Sequence, residues 1–202
     1  MVTFPSRFGR TRFRDLRIVG VDDGAFSPSR EPDETALLAA VLFEGFRIRS
    51  VRLGRVGIDG TDAARVLKLL LSHARFDVIM LSGISFAGFN LIDISKLARE
   101  TGKPVIAVCG TKPDNRAVEK ALRIHFADYE MRWSIVRSAG KLYSCRPLEN
   151  EPKLYFEVKG ATSDFARRVI YSTAVISRLP EPIRVARILA RGLSGLTQIP
   201  SS

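Results

Sequence analysis

The chain has few of the residues from which several common kinds of functional site are built. Its 202 residues include only two cysteines and two histidines, too few for a disulfide framework or a zinc site with the usual spacing. No apolar run approaches the roughly 20 residues that span a bilayer, and no secretory signal precedes the first strand. P-loop and dinucleotide-binding glycine patterns are also missing. We therefore expect a cytoplasmic protein without a membrane partner, in which Cys109 and Cys145 are inert packing thiols.

What the chain has in excess is positive charge. The formal net charge is +11, and arginine is three times as frequent as lysine. Most of the surplus lies at the two ends, four charges in residues 1–20 and five in residues 165–202. Because forked guanidinium groups suit bidentate contacts to phosphate, this composition favours a nucleic-acid partner. The alternative is a solvated, arginine-rich surface of the kind that heat-adapted proteins carry.

The period of the apolar residues changes from 2 to 3.6 along the chain, which predicts strands first and then alternating helices and strands. Strands are predicted over residues 16–22, 35–43, 46–56, 76–82, 103–109, 131–137 and 153–158. Helices are predicted over residues 61–75, 90–101, 114–127, 162–177 and 182–192.

This order predicts an α/β, ribonuclease H-like fold, in which a three-strand meander is followed by parallel strands and the mixed sheet is flanked by helices. Residues 129–202 would add a C-terminal α+β extension. We expect a single domain over residues 1–202, with residues 1–15 as a flexible basic arm. Right-handed crossovers would place the strand ending at Ser82 beside the strand ending at Asp22.

Acidic residues occur where several of these elements begin or end. Asp22 and Asp23 end the first strand and should face opposite sides of the sheet, so Asp22 is the preferred metal ligand and Asp23 a further candidate. Asp62 and Asp93 lie near two helix starts at the same predicted rim. Their carboxylates would suit Mg²⁺, and a metal pair could activate water against a phosphodiester. The alternative is that the acids near helix starts cap the helices or offset their dipoles.

Other residues near this rim are candidates for contact with nucleic acid. Phe86 and Phe89 could stack on bases and Asn90 follows them, whereas the alternative is a glycine-containing loop over buried rings. Lys112 could orient the phosphate or the attacking water, or simply be solvated. Three arginines at helical spacing could contact phosphates or form the wet side of an amphipathic helix: Arg184, Arg187 and Arg191.

Several runs of the sequence resemble an archaeal family related to endonuclease V, and the resemblance covers about residues 16–190. The runs are Gly-Val-Asp-Asp-Gly at 20–24, Ile-Asp-Gly-Thr-Asp-Ala at 58–63, the segment 81–94 with its Gly-Phe-Asn-Leu-Ile-Asp, and Pro-Val-Ile-Ala-Val at 104–108. The resemblance implies a ribonuclease H-like fold and Mg²⁺-dependent nicking of nucleic acid near deoxyuridine or inosine.

The resemblance also implies which residues would act. The first-strand acid of endonuclease V matches Asp22, and its helix-start glutamate matches Asp62. Its third acid falls on Ser82, which is not a carboxylate, so Asp93 is the candidate replacement. The endonuclease V wedge has no convincing match, and its base specificity does not transfer.

The leading hypothesis is a metal-dependent endonuclease that nicks DNA, or alternatively RNA, at or near deaminated bases during repair. Asp22 and Asp62 would hold Mg²⁺, or Mn²⁺ as a substitute, with Asp93 or Asp23 contributing. Lys112 would lie near the scissile phosphate. The alternatives are a non-catalytic nucleic-acid-binding protein on the same scaffold and a junction-resolving phosphodiesterase. The sequence leaves monomer and dimer undecided.

Overall fold

A seven-stranded mixed sheet organises the chain, in a computed structural model that describes residues 16–26 and 34–194. The basic arm predicted over residues 1–15 lies outside the described residues. The strands are β1 Arg17–Asp23, β2 Thr35–Glu44, β3 Arg47–Gly57, β4 Val78–Leu81, β5 Ser85–Phe86, β6 Asn90–Leu91, β7 Val105–Cys109, β8 Tyr143–Cys145 and β9 Leu154–Lys159. The helices are α1 Ala63–Leu71, α2 Ile94–Thr101, α3 Asn115–His125, α4 Tyr129–Ala139, α5 Ser163–Thr173 and α6 Glu181–Ser194.

The sheet order is β3-β2-β1-β4-β7-β9-β8, and β5 and β6 form a separate two-stranded ribbon. Strands β1, β2 and β3 are an antiparallel meander, whereas β1, β4 and β7 run parallel. Val21 is in register with Leu81, so the predicted neighbourhood of the strand ends at Asp22 and Ser82 is confirmed. The meander followed by parallel strands also confirms the predicted α/β, ribonuclease H-like fold.

The two faces of the sheet bury different cores because successive side chains of a strand point to opposite sides. Val19, Val21 and Leu81 pack with residues of α1 and α2 on one face. Ile18 and Met80 pack with α5 and α6 on the other. Strands buried on both faces are expected to be almost wholly apolar, which explains the Val-Ile-Met-Leu sequence of β4.

Helix α6 lies unusually close to the sheet because β1 has a glycine beneath it. A Cβ atom added to Gly20 would lie 2.0 Å from the carbonyl carbon of Pro182, within the first turn of α6. Only a residue without a side chain permits this approach. The close packing brings the middle of α6 over the end of β1.

Two parts of the sequence prediction are wrong. Residues 131–137 were expected to form a strand and instead belong to helix α4, which begins after Asp128. Helix α2 begins at Ile94 rather than at residue 90, since Asn90–Leu91 pairs with Ser85–Phe86. Strand β8 was not predicted. No helix among the described residues combines the length and the apolar character needed to cross a membrane.

Candidate functional site at the ends of strands β1 and β4

Asp22, at the end of β1, is a buried carboxylate paired with an arginine from the far end of the chain. Its Oδ2 accepts a 2.6 Å hydrogen bond from Nε of Arg187 on α6. The same guanidinium donates through its second terminal nitrogen to Oγ of Ser82, at 2.7 Å. Asp22 is 3% exposed, whereas the Arg187 side chain is 38% exposed. Arg187 therefore links the ends of β1 and β4, and its partly exposed guanidinium group balances the buried charge of Asp22.

The pKa of Asp22 reflects competition between burial and this arginine. The net pKa is raised from 3.8 to about 6, chiefly by burial, although the charge and hydrogen bond of Arg187 act to lower it. The neighbouring Asp23 carboxylate adds a further increase. Asp22 is thus an ionisable carboxyl group at the end of a central strand, where burial makes its negative charge costly unless a cation lies beside it.

Asp23 faces the opposite side of the sheet from Asp22, as their adjacent positions in a strand predict. Its Oδ2 accepts a 2.6 Å hydrogen bond from the backbone of Ala87. Asp59, whose φ is 55°, similarly accepts a 2.7 Å hydrogen bond from the backbone of Phe89. These two acids hold the loop over residues 82–90 against the sheet, which is a structural role.

Asp62 also contacts this loop. Its Oδ1 accepts a 2.7 Å hydrogen bond from Nδ2 of Asn90 and a 3.1 Å hydrogen bond from the backbone of Gly57. Asn90 is fully buried, and its Oδ1 accepts from the backbone of Ala63, the first residue of α1. The prediction that Asn90 contacts nucleic acid is therefore wrong, because its polar atoms join α1 to the loop.

Asp93 caps helix α2, which is the alternative that the sequence left open. Its Oδ1 accepts from the backbone amides of Ser95 and Lys96 at 2.8 and 2.9 Å, and from Oγ of Ser138 at 3.1 Å. Across residues 16–26 and 34–194, no three His, Cys, Asp or Glu side chains are grouped so that they could hold one metal ion. The predicted gathering of Asp22, Asp62 and Asp93 is thus not found in the structure.

A pocket of about 270 Å³ lies beside Ser82, on the α1/α2 side of the sheet. The loop covers part of it: Gly83 has a φ of 84°, and a Cβ atom there would lie 3.7 Å from Sγ of Cys109. Apolar and polar groups share the lining, which comprises Ser82, Gly83, Ile84, Ser85, Phe89, Leu91, Cys109, Pro113, Asn115, Val118, Val136 and Glu157. A small, largely apolar cavity with a few polar groups is typical of a ligand site.

The remaining predicted contact residues divide into buried and accessible ones. Phe86 is fully buried in the core beside β4, so its predicted stacking on bases is wrong. Phe89 lines the pocket, with its ring edge-on to Phe126 at 5.5 Å. Lys112 and Arg191 are exposed, whereas Arg184 pairs with Glu181 through two 2.7 Å hydrogen bonds. The roles of Lys112 and Arg191 stay predictions.

Sequence reasoning missed two residues near the pocket. Arg132 on α4 is 5% exposed and donates to the backbone carbonyls of Gly60 and Phe89, which fixes the loop from the outside. The sequence gives no signal for it, because the stretch that contains it is predicted to be a strand. Glu157 on β9 lines the pocket, and its place in an ordinary alternating strand gives no signal for that position. The two thiols agree with their expected inertness, since burial raises the pKa of Cys109 and of Cys145 to about 11.

This fold is shared with solved endonuclease V structures. A Ciona intestinalis endonuclease V, crystallised with a 24mer DNA containing an inosine followed by a ribo-adenosine, is similar over 91% of this chain and 87% of its own, with a TM-score of 0.57 and 13% identity. The catalytic domain of human endonuclease V gives a TM-score of 0.61 at 14% identity, over 94% of this chain and 90% of its own. At these identities the likeness defines the class of fold.

The chain belongs to the endonuclease dU family, whose sequence pattern matches residues 14–194. A UPF0215 protein of Pyrococcus horikoshii is 37% identical over 180 residues, which are 88% of this chain and 91% of that protein. A crystallised Archaeoglobus fulgidus protein, described as of unknown function, is similar over 87% of this chain and 96% of its own, with a TM-score of 0.76 and 28% identity. The predicted archaeal, endonuclease V-related family is thereby confirmed.

Proposed function

We propose that this protein is an endonuclease that nicks DNA at or near deaminated bases, such as uracil or hypoxanthine, in nucleic-acid repair. The family name and the fold shared with endonuclease V support a nuclease. The observation that carries the proposal is the buried Asp22 carboxylate at the rim of the parallel strands, which Arg187 links to Ser82, a residue that also lines a base-sized pocket. RNA that carries inosine is the alternative substrate.

Mg²⁺ is the proposed cofactor, with Mn²⁺ as its substitute. The described side chains do not fit the three-carboxylate, two-metal site that the sequence predicted. We propose instead a site with few protein ligands, formed when Arg187 moves away from Asp22 and Ser82, since Mg²⁺ keeps several waters and is often held by one or two carboxylates together with substrate phosphate. Asp22 and the Ser82 hydroxyl would hold the ion. When bound, Mg²⁺ would activate water and stabilise charge on the leaving oxygen.

The pocket would receive the base on which specificity depends. An enzyme that inspects a base must take it out of the stack, and deaminated bases, being mispaired, are the least costly to extrude. The lining that Phe89 and Leu91 provide suits the faces of a planar ring. Because Ser82 belongs both to the proposed metal site and to the lining of the pocket, an extruded base would lie close to the proposed site of cleavage.

Positive charge would hold the phosphate backbone. The net charge of +11 favours binding to any DNA, and both Arg191 on α6 and Lys112 in the loop after β7 are exposed. Contacts of this kind release counterions, so the logarithm of the association constant should fall linearly with the logarithm of the salt concentration.

The test is an end-labelled oligonucleotide panel that carries uracil, hypoxanthine, xanthine, an abasic site or only normal bases, incubated with and without Mg²⁺. We expect Mg²⁺-dependent nicking of the uracil or hypoxanthine strands, and loss of nicking with unchanged DNA affinity in Asp22→Asn. Asp164→Asn, an exposed acid on α5, is the matched control and should cut normally. Undiminished cleavage by Asp22→Asn would refute the role of Asp22.

A second candidate function is nucleic-acid binding without catalysis. It is favoured by the arginine that neutralises Asp22 and by Ser82, which stands where endonuclease V has a third acid. This candidate predicts salt-sensitive binding that Mg²⁺ does not change and no nicking of any oligonucleotide in the panel. The same experiment therefore separates the two functions.

A further inference from the structure

Glu157, in the second half of strand β9, places a carboxyl group in the wall of the pocket. It lies on β9 in register with Ala107 of β7, which is itself in register with Leu81 of β4. Aligned residues share a face of the sheet, so Glu157 faces the α1/α2 side with Leu81. It lines the same cavity as Ser82 and Phe89.

The Glu157 carboxyl group is left available to a ligand. Within the described part of the chain, no hydrogen bond and no ion pair within 4.0 Å is made by this carboxyl group, which is only partly exposed. Burial raises its pKa, while the positive charge of Lys159 on the same strand lowers it. Its negative charge also helps to raise the pKa of Cys109, the other titratable group in the pocket lining. A partly buried acid without a partner, in a cavity, is suited to pair with a donor from a ligand.

Resting on the proposed function, we propose that Glu157 reads the extruded base by accepting the ring N–H that deamination creates. Cytosine N3 and adenine N1 are hydrogen-bond acceptors, whereas the corresponding nitrogens of uracil and hypoxanthine carry a hydrogen. A carboxylate accepts only, so it bonds to the deaminated base and opposes a lone pair on the normal one.

This residue separates uracil from cytosine and hypoxanthine from adenine. Thymine and guanine carry the same N–H, so their exclusion depends on the cost of extruding a correctly paired base. Glu157 would thus be the specificity-determining residue of the pocket, on a different strand from Asp22.

Binding to single-stranded oligonucleotides tests the inference without any cleavage. Fluorescence anisotropy in EDTA at pH 7.5 compares four otherwise identical strands that carry uracil, cytosine, thymine or N3-methyluracil at one position. We expect wild type to bind uracil about tenfold more tightly than cytosine, the effect of one hydrogen bond to a charged group. N3-methyluracil, which lacks the N–H, should bind no better than cytosine, and thymine should bind like uracil or be weakened only by its methyl group.

The decisive variant is Glu157→Gln, which keeps the shape of the side chain. An amide can turn to present either an acceptor or a donor, so the preference for uracil over cytosine should fall to about twofold or less while total affinity is kept. Glu149→Gln, at an exposed position before β9, is the matched control and should keep the wild-type preference. Thermal melting of both variants establishes that they fold.

Equal binding of uracil and N3-methyluracil by wild type would overturn the inference, and so would a Glu157→Gln variant with the full preference. The wild-type comparison stands even if the variant does not fold. Because the measurement needs no metal, an intact preference without nicking would refute the proposed nuclease and leave the base reader standing. Nicking that keeps its preference for deaminated bases in the Glu157→Gln variant would refute the base reader and leave the proposed nuclease standing.

Discussion

Replacing Asp22 by asparagine should change how the stability of the metal-free protein depends on pH. Asp22 has its pKa raised from 3.8 to about 6, chiefly by burial. An acid with a raised folded-state pKa contributes stability that is fully present below about pH 4 and is lost as the pH rises through about 6. At 1.36 kcal/mol per pH unit, the shift corresponds to about 3 kcal/mol between those limits. Asparagine cannot ionise, so the variant loses no stability at this position over the same pH range.

We therefore expect Asp22→Asn to gain about 3 kcal/mol relative to wild type as the pH is raised from 4 to 7.5. Urea unfolding in EDTA, followed by circular dichroism at pH 4, 5, 6 and 7.5, measures the difference directly. Taking the difference between the two proteins cancels the titration of the other acids. Parallel stability curves for wild type and variant would refute the account in which the burial of Asp22 outweighs its pairing with Arg187.

Two further perturbations test the frame around the site. Gly20→Ala should destabilise the protein by about 3 kcal/mol, because its Cβ would lie 2.0 Å from the backbone of Pro182 on α6. The melting temperature measures this. Gly192→Ala, also on α6 but with open space around the added Cβ, is the control and should not melt at a lower temperature than wild type. Asp77→Asn should cost about 1 kcal/mol at pH 7, discounted because Arg17 is partly exposed. Burial alone would raise the pKa of Asp77, but three hydrogen bonds from Arg17 hold it below its ordinary value. This contribution is present above about pH 4 and lost as the pH falls through the folded-state pKa, so denaturant titrations of wild type and variant should converge in acid.

The sheet was predictable because its strands carry local signals. Alternation and short apolar runs placed β1, β2, β3, β4, β7 and β9 within a few residues, and crossover handedness alone predicted that β4 lies beside β1. Residues 131–137 failed because Ile135 and Val136 favour strands by propensity. The helix there is fixed by Arg132, whose partners are carbonyls of distant loops.

The candidate site was predictable in position and not in detail. Asp22 lies at the strand end that the sequence indicated, and Asp23 faces away from it as the alternation of a strand requires. The loop contacts of Asp23, Asp59 and Asp62 depend on backbone amides, which no side-chain pattern reveals. The sequence predicts Arg187 on a phosphate-contacting ridge or on the wet side of a helix, because helical spacing shows which residues share a face and not what that face meets.

The pairing of Asp22 with Arg187 spans 165 positions of the chain. During synthesis, the first strand leaves the ribosome long before the helix that supplies its counter-charge, since chains emerge at roughly 5–20 residues per second. The acid must meanwhile remain hydrated or protonated until α6 docks over Gly20 and brings Arg187 to it. The native surroundings of the Asp22 carboxyl group are therefore completed only when almost all of the described chain has been made.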